Sequence, residues 1–246
     1  MSFFAKALLD LFLPRTCALC ERYIGDTDSR ERSALGCLCK RCVSMLPRTE
    51  QAHMRQNSTE MAVLGMPSSM VRAAKTMHVD KAAAFLFYDK DRPIRRLIHR
   101  MKYEERPEIA FHLGYQAALE MQYADFFDEI DVIIPMPLHP RRLRERGYNQ
   151  SEYIARGIAQ VTGLPVDTAH VTRIRNTPKQ ALQRGEQRKT NMIDAFAVNH
   201  PEQLYRKHIL LVDDLVTTGE TMRACLHAMK RFRGATFTVF SLCKTC

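Results

Sequence analysis

The 246-residue sequence contains no tryptophan, and aromatic side chains make up only 8% of it. A surface that gripped nucleic acid mainly by stacking would need more flat side chains, so such a partner would be held electrostatically. Long apolar runs are also missing. No segment approaches the roughly 20 apolar residues that span a bilayer, which excludes a membrane-spanning helix from these residues. The opening MSFFAKALLDLFLPRTC has no basic start and no small-residue cleavage site, and Lys6 and Asp10 interrupt it, so an export signal is not expected. Phe3, Phe4, Ala7, Leu8, Leu11 and Phe12 recur at helical spacing and predict a short helix docked on the protein itself. A cytoplasmic location follows. Acid is in short supply, with 27 Asp and Glu against 37 Lys and Arg, a net charge of +10. That surplus points to a polyanionic partner: a nucleic acid, a phosphate-rich small molecule or an anionic surface. With 46% hydrophobic and 26% charged residues the chain is globular, long enough for one core domain and a small accessory module.

Cysteine is absent from Val43 to Ala224, yet five of the eight cysteines lie in the first 42 residues. Cys17-Ala-Leu-Cys20 and Cys39-Lys-Arg-Cys42 form two CxxC pairs at zinc-ribbon spacing, in which each pair builds a knuckle and four thiolates close a tetrahedron. Thiols stay reduced in the cytoplasm, so metal binding is favoured over disulfides. Cys37 offers a replacement for Cys39, although the two intervening residues favour Cys39 with Cys42. A closed four-thiolate site is structural, since no coordination position is left for substrate. Cys243 and Cys246 form a third CxxC at the end of an apolar run, where a strand cysteine is the simpler reading, and Cys225 falls in a helical pattern that suggests the core.

The chain divides into residues 1–50, an N-terminal helix and four-cysteine zinc-ribbon module; residues 51–80, a polar, Met-rich linker or extension; and residues 81–246, the main domain. In the main domain strands are expected at 84–88, 131–134, 167–171, 208–212 and 235–242. Helices are expected over 92–101, 108–123, from a Ser151 cap to Gly163, and 220–233. Strands alternating with helices predict an α/β domain whose mainly parallel sheet is covered by helices on both faces. Ligands of such sheets bind beyond the C-terminal ends of the strands.

One strand reaches that edge with two carboxylates. In Ile209-Leu-Leu-Val-Asp213-Asp214-Leu-Val216-Thr217-Thr218-Gly219-Glu-Thr221 four apolar residues lead into an acid pair and a hydroxyl-rich turn that opens a helix. Backbone N–H groups at a helix start hold phosphate. Thr217, Thr218 and Thr221 add hydroxyl donors, and Gly219 permits close approach. Asp213 and Asp214 cannot hold phosphate but accept hydrogen bonds from vicinal hydroxyls. The ligand implied is a sugar phosphate. Two basic stretches accompany it. One follows the 131–134 strand, with the Pro137-Leu138-His139 turn and then Arg141, Arg142, Arg144 and Arg146, whose forks suit phosphate oxygens. The other, Thr172–Asn191, is long and polar in the manner of a lid, with Lys179, Arg184, Arg188 and Lys189.

The thirteen residues from Ile209 resemble, position by position, the phosphoribosyl pyrophosphate (PRPP) signature of type I phosphoribosyltransferases. Together with the two CxxC pairs, Arg146-Gly-Tyr-Asn-Gln-Ser151, Thr172-Arg-Ile-Arg-Asn-Thr177, Gln180-Ala-Leu and Arg188-Lys-Thr-Asn191 with Phe196, the chain resembles the ComF/GntX family of ComFC-type competence proteins, weakest over 51–80. The resemblance implies a zinc-ribbon-like module followed by a type I phosphoribosyltransferase domain. It implies structural Zn²⁺ and Mg²⁺ brought with PRPP; Asp213, Asp214 and Lys189 in the catalytic role; PRPP on Asp213, Asp214, Val216–Gly219, Thr221 and Pro137–His139; and pyrophosphate or nucleic acid on the arginines and lysines named above. Family members are linked to natural transformation, so single-stranded DNA and other DNA-uptake or recombination proteins, such as a helicase, are the partners implied. Three roles stand side by side: an active transferase with an unidentified acceptor, a single-strand-binding competence factor, and a zinc-dependent scaffold.

Overall fold

A computed structural model describes residues 16–24, 36–49, 77–175 and 194–245. The expected N-terminal helix, almost all of the 51–80 segment, the basic stretch carrying Lys179, Arg184, Arg188 and Lys189, and Cys246 lie outside the described residues.

Four strands form a parallel sheet in the order β1-β6-β5-β2: β1 (Val79–Tyr88), β6 (Thr236–Thr245), β5 (His208–Val216) and β2 (Val132–Pro135). The unbroken apolar character of Ile209–Val212 has a direct cause: both faces of β5 are covered. Leu210 and Val212 join Ile133, Phe85, Phe240 and Leu242 in one core layer, while Ile209 and Leu211 join Ile134, Phe237 and Val239 in the other. Helices α2 (Ile94–Tyr103), α3 (Pro107–Met121) and α5 (Gln150–Thr162) pack on the first layer. Helix α6 (Glu220–Met229) packs on the second, through Met222, Cys225, Leu226 and Met229. Cys225 and Cys243 are both fully buried core residues.

Helices α3 and α5 approach closely. A Cβ at Gly114 would stand 2.3 Å from the Ile154 carbonyl oxygen, and one at Gly157 would stand 2.1 Å from that of Phe111. Glycine is required at both crossings because backbone occupies the space of a side chain.

Local expectations shift: the strand expected at 84–88 begins at Val79, and Pro140–Arg146 forms a helix where none was expected. Strand β5 continues four residues past Val212, because β6 keeps pairing with it: Asp213 faces Ser241 and Val216 faces Lys244. The acid pair therefore sits on a rigid strand rather than at its end. Helix α5 is capped by Asn149, whose Oδ1 accepts from the Ser151 N–H at 3.2 Å, so Asn149 and not Ser151 is the cap. The expected 167–171 strand reduces to a bridge between Val166 and Ile133, followed by a small antiparallel pair of β3 (Val171–Arg173) and β4 (Phe196–Val198).

The cysteine module is welded to the sheet. Its short helix α1 (Lys40–Ser44) leads into Pro47–Thr49, which pairs antiparallel with β1 through Thr49 N–H to Phe85 O at 2.9 Å and Phe87 N–H to Pro47 O at 2.7 Å. Arg48 grips Glu120 of α3 with two hydrogen bonds, of 2.6 and 2.7 Å. Arg100 of α2 donates to the Ala18 carbonyl at 2.9 Å and to Glu21 at 2.6 Å.

Candidate functional site

The C-terminal ends of β1, β2 and β5 open into a cavity of about 390 Å³. Asp213 and Asp214 form part of its wall. On a strand, adjacent side chains point to opposite faces, so the two carboxylates meet different neighbours. Asp214 is buried and accepts from the Lys102 ammonium at 2.9 Å and from Gln150 Nε2 at 2.6 Å. Asp213 accepts from the Ser151 hydroxyl at 3.3 Å and from the Asp214 N–H at 2.8 Å.

These surroundings separate the two acids. Burial opposes the charge on Asp214, but the Lys102 ammonium, with Gln150, outweighs it and holds the carboxyl below its usual range. Burial and the neighbouring Asp214 charge push Asp213 up to about 7. Lys102 is raised: burial works against its charge, and Asp214 and then Asp213 overcome that penalty. The cluster thus holds one firm anion, one firm cation, and one carboxyl that ionises near neutral pH. Such divergence is common at functional sites.

The six residues Arg146–Ser151 form one bracket around the pair. Gly147, at φ 81°, ends α4 (Pro140–Arg146) in the left-handed region. The Tyr148 hydroxyl donates to the Met101 carbonyl, tying this turn to α2 one residue before Lys102. Asn149 caps α5 and donates Nδ2 to the Met136 carbonyl at 3.1 Å, fixing the loop after β2. Gln150 and Ser151 then take one carboxylate each. Arg146 closes the bracket over the Tyr103 ring, 5.5 Å from its centroid.

Of the residues singled out in sequence, Asp213, Asp214, Thr221, Pro137, Leu138, Arg142 and Arg146 line this cavity. Arg173 also lines it, stacked 5.4 Å over the Phe196 ring, and burial lowers its pKa. Val216 is buried at the end of β5, Thr217 and Thr218 are exposed in the turn beyond, and Gly219 begins α6 at φ 73°. His139 turns back to cap α4, its Nδ1 accepting from the Arg141 N–H at 3.2 Å. Arg141 points outward to Glu145 at 2.9 Å, and Arg144 is exposed outside the cavity lining. Sequence reasoning gave Lys102, Gln150, Ser151 and Arg173 no place beside the acid pair. The only signal for Gln150 and Ser151 was their place in the Arg146–Ser151 motif.

Beside α2, which reaches the cysteine module through Arg100, the sulfurs of Cys17, Cys20, Cys39 and Cys42 lie within 4.8 Å of one another. Cys20 and Cys39 Sγ are 3.8 Å apart. Four sulfurs at ~2.3 Å from a central zinc lie ~3.8 Å from each other, so the donor set fits a tetrahedral ion. Burial disfavours the Cys17 thiolate, yet the N–H groups of Cys20, Cys39 and Leu19 pull its pKa down to about 6, while burial and the neighbouring thiols raise that of Cys42. Cys37 stands outside the cluster, and burial pushes its thiol up to about 12. Cys39, not Cys37, belongs to the set.

A parallel sheet with helices on both faces and an acid pair bracketed within its second-last strand defines a phosphoribosyltransferase-type domain, and the phosphoribosyl transferase domain family matches residues 149–245. That match begins at Asn149, so it takes in the acid pair with Gln150 and Ser151 but not Lys102 or the cluster of Cys17, Cys20, Cys39 and Cys42. "DNA utilization protein YhgH" of Shigella flexneri is 35% identical over 156 residues, 62% of this chain and 68% of that protein. "Competence protein F" of Haemophilus influenzae is 27% identical over 157 residues, with the same shares of the two chains. "Competence protein ComFC" of Bacillus subtilis is 25% identical over 155 residues, 62% of this chain and 60% of that one. The chain belongs to the ComF/GntX family.

Proposed function

We propose that the chain binds PRPP with Mg²⁺ and serves natural transformation, handling incoming single-stranded DNA in the cytoplasm. The observation that carries the PRPP reading is the sorting of charge within one cavity: two carboxylates on β5, with Arg95, Arg142, Arg146 and Arg173 also in its lining. A ligand with a hydroxyl-bearing sugar between phosphates matches that sorting. Asp214, kept ionised by Lys102, accepts from a ribose hydroxyl, and Asp213 takes its neighbour. The turn Thr217–Gly219 and the start of α6 receive the 5′-phosphate. The cavity arginines face the pyrophosphate, and Lys179, Arg184, Arg188 and Lys189 of the basic stretch are assigned to the same group by their charge in the sequence. Mg²⁺ bound with the pyrophosphate would screen its charge. The four cysteines hold a structural zinc. The DNA side of the proposal rests on the names of the relatives and on the +10 net charge.

A second reading is transfer of the phosphoribosyl group to a base or nucleotide, with pyrophosphate leaving. It is favoured by the four cavity arginines, Arg95, Arg142, Arg146 and Arg173, which would neutralise charge on the departing group. Calorimetric titration with PRPP and Mg²⁺ tests the binding reading: saturable binding that Asp214→Asn abolishes is expected, and heat that is unchanged in that variant would sink it. Pyrophosphate release, measured across bases and nucleotides, tests the second reading.

A further inference from the structure

A larger cavity, of about 840 Å³, lies between the cysteine module and the N-terminal half of α2. The acid-pair site makes no use of it. Its rim carries Arg22, Arg41, Lys90, Arg92, Arg95 and Arg96, and among the described residues Asp91 is the only acid in its lining. Two of these cations touch carboxylates at the surface: Arg92 meets Asp89 at 3.2 Å and Arg96 meets Glu21 at 4.0 Å. Exposed pairs of this kind neutralise little. Its floor is apolar, formed by Leu19, Leu46, Ile94 and Met45, and Met45 is 66% exposed.

The two cavities meet. Arg95 and His99 line both. Helix α2 buries Ile94, Leu97, Ile98 and Met101 against the sheet, which leaves Arg95, Arg96, His99 and Tyr103 on one exposed stripe, with Arg92 just before its first residue. That stripe runs the length of the helix, about 15 Å at 1.5 Å per residue. At its far end Tyr103 lies 4.9 Å from His99, ring centre to ring centre, and carries Arg146 above it. A groove with a cationic lining and an apolar floor therefore lies against the cysteine knuckles and borders the acid-pair cavity at Arg95 and His99.

We infer that this groove is the seat of a single-stranded polynucleotide, whose phosphates follow the basic stripe of α2 and whose bases rest on the apolar floor. The inference deepens the DNA-handling reading above and rests on it. The choice of strand over duplex comes from the floor: a duplex turns its base faces inward and offers phosphate alone, leaving Met45 and Leu19 uncovered, whereas unpaired bases can cover them. A consequence follows for the neighbouring site. Arg95 and His99 serve the strand and the anionic ligand of the acid-pair cavity alike, so each ligand weakens the other by the same factor.

The test is fluorescence anisotropy of a labelled oligothymidylate as a function of salt, with PRPP·Mg²⁺ binding followed by calorimetry on the same samples. The chain is compared with Arg92→Gln/Arg96→Gln in the groove and Arg141→Gln/Arg144→Gln on α4, all at exposed positions. The groove pair is expected to lose about tenfold in strand affinity, and its log–log salt slope to fall by about 1.4, at ~0.7 per phosphate contact. The α4 pair should change little, and PRPP binding should persist in both. An equal loss in the α4 pair, an unchanged groove pair, or a duplex of the same length binding as tightly as the strand overturns the proposal. If no protein binds PRPP but the groove pair still loses the strand, the PRPP reading fails and the groove stands.

Discussion

Asp213 is held where its charge is costly, and Asp213→Asn removes that charge with little change of shape. Asn keeps the Oδ1 that accepts from Ser151 and from the Asp214 N–H. In an unfolded chain an aspartate gives up its proton near pH 3.9, whereas folded Asp213 keeps it to about 7. Between those values the folded state binds one proton more than the unfolded state. Wild-type stability therefore falls as pH rises, by ~1.36 kcal/mol per pH unit, and levels off above pH 7. Carried over the whole interval, the cost is at most about 4 kcal/mol. Asp213→Asn does not bear it, so the variant should be the more stable protein at pH 8, by up to ~8–16 °C in Tm for a chain of this size. The advantage should shrink steadily from pH 7 to pH 5. Urea melts of both proteins across that range measure the difference. Metal-ligand protonation is common to both and cancels. PRPP·Mg²⁺ affinity should meanwhile drop by about tenfold or more, the loss of one charged hydrogen bond. A variant no more stable than wild type at pH 8, or a gap that ignores pH, would refute the assignment of Asp213 as the destabilised member of the pair.

Lys102→Met should act in the opposite direction. It leaves the Asp214 carboxylate buried with Gln150 and no cation, at a cost of about 3–5 kcal/mol by denaturant melts at neutral pH. That cost should fade as pH drops through the carboxylate range, because the Lys102 pair stabilises only ionised Asp214. Metal analysis should find zinc retained in Cys37→Ser and lost in Cys39→Ser, since only the latter belongs to the four-sulfur cluster. Gly157→Ala must push α5 from the Phe111 carbonyl and should cost at least about 1–3 kcal/mol in thermal or urea melts.

Much of this protein was legible along the chain because its cues are local. The run Ile209–Val212 reads as a strand covered on both faces, and its register against β6 bears that out. Two CxxC pairs specify their own knuckles, and their sulfurs meet. Gly163, at φ 73°, ends α5 as its position suggested. Boundaries were harder to read where pairing decided them. Asp213 and Asp214 look like turn residues, but Ser241 and Cys243 on the neighbouring strand keep that stretch extended. Ser151 looks like a helix cap, yet Asn149 reaches the free N–H and frees the Ser151 hydroxyl for Asp213.

The sequence by itself determined the composition of the site: an acid pair on an apolar strand, a hydroxyl-rich turn, arginines after a second strand, and four thiols in two pairs. These depend on neighbours within a few residues, where chain geometry leaves little choice. Only the tertiary structure decided which acid is ionised. Lys102 reaches Asp214 from a helix more than a hundred residues earlier, and the same helix anchors the cysteine module through Arg100 and exposes a basic stripe toward it. No local pattern marks such a lysine, because a buried ion pair is set by the packing of two distant elements and by the water that their contact excludes.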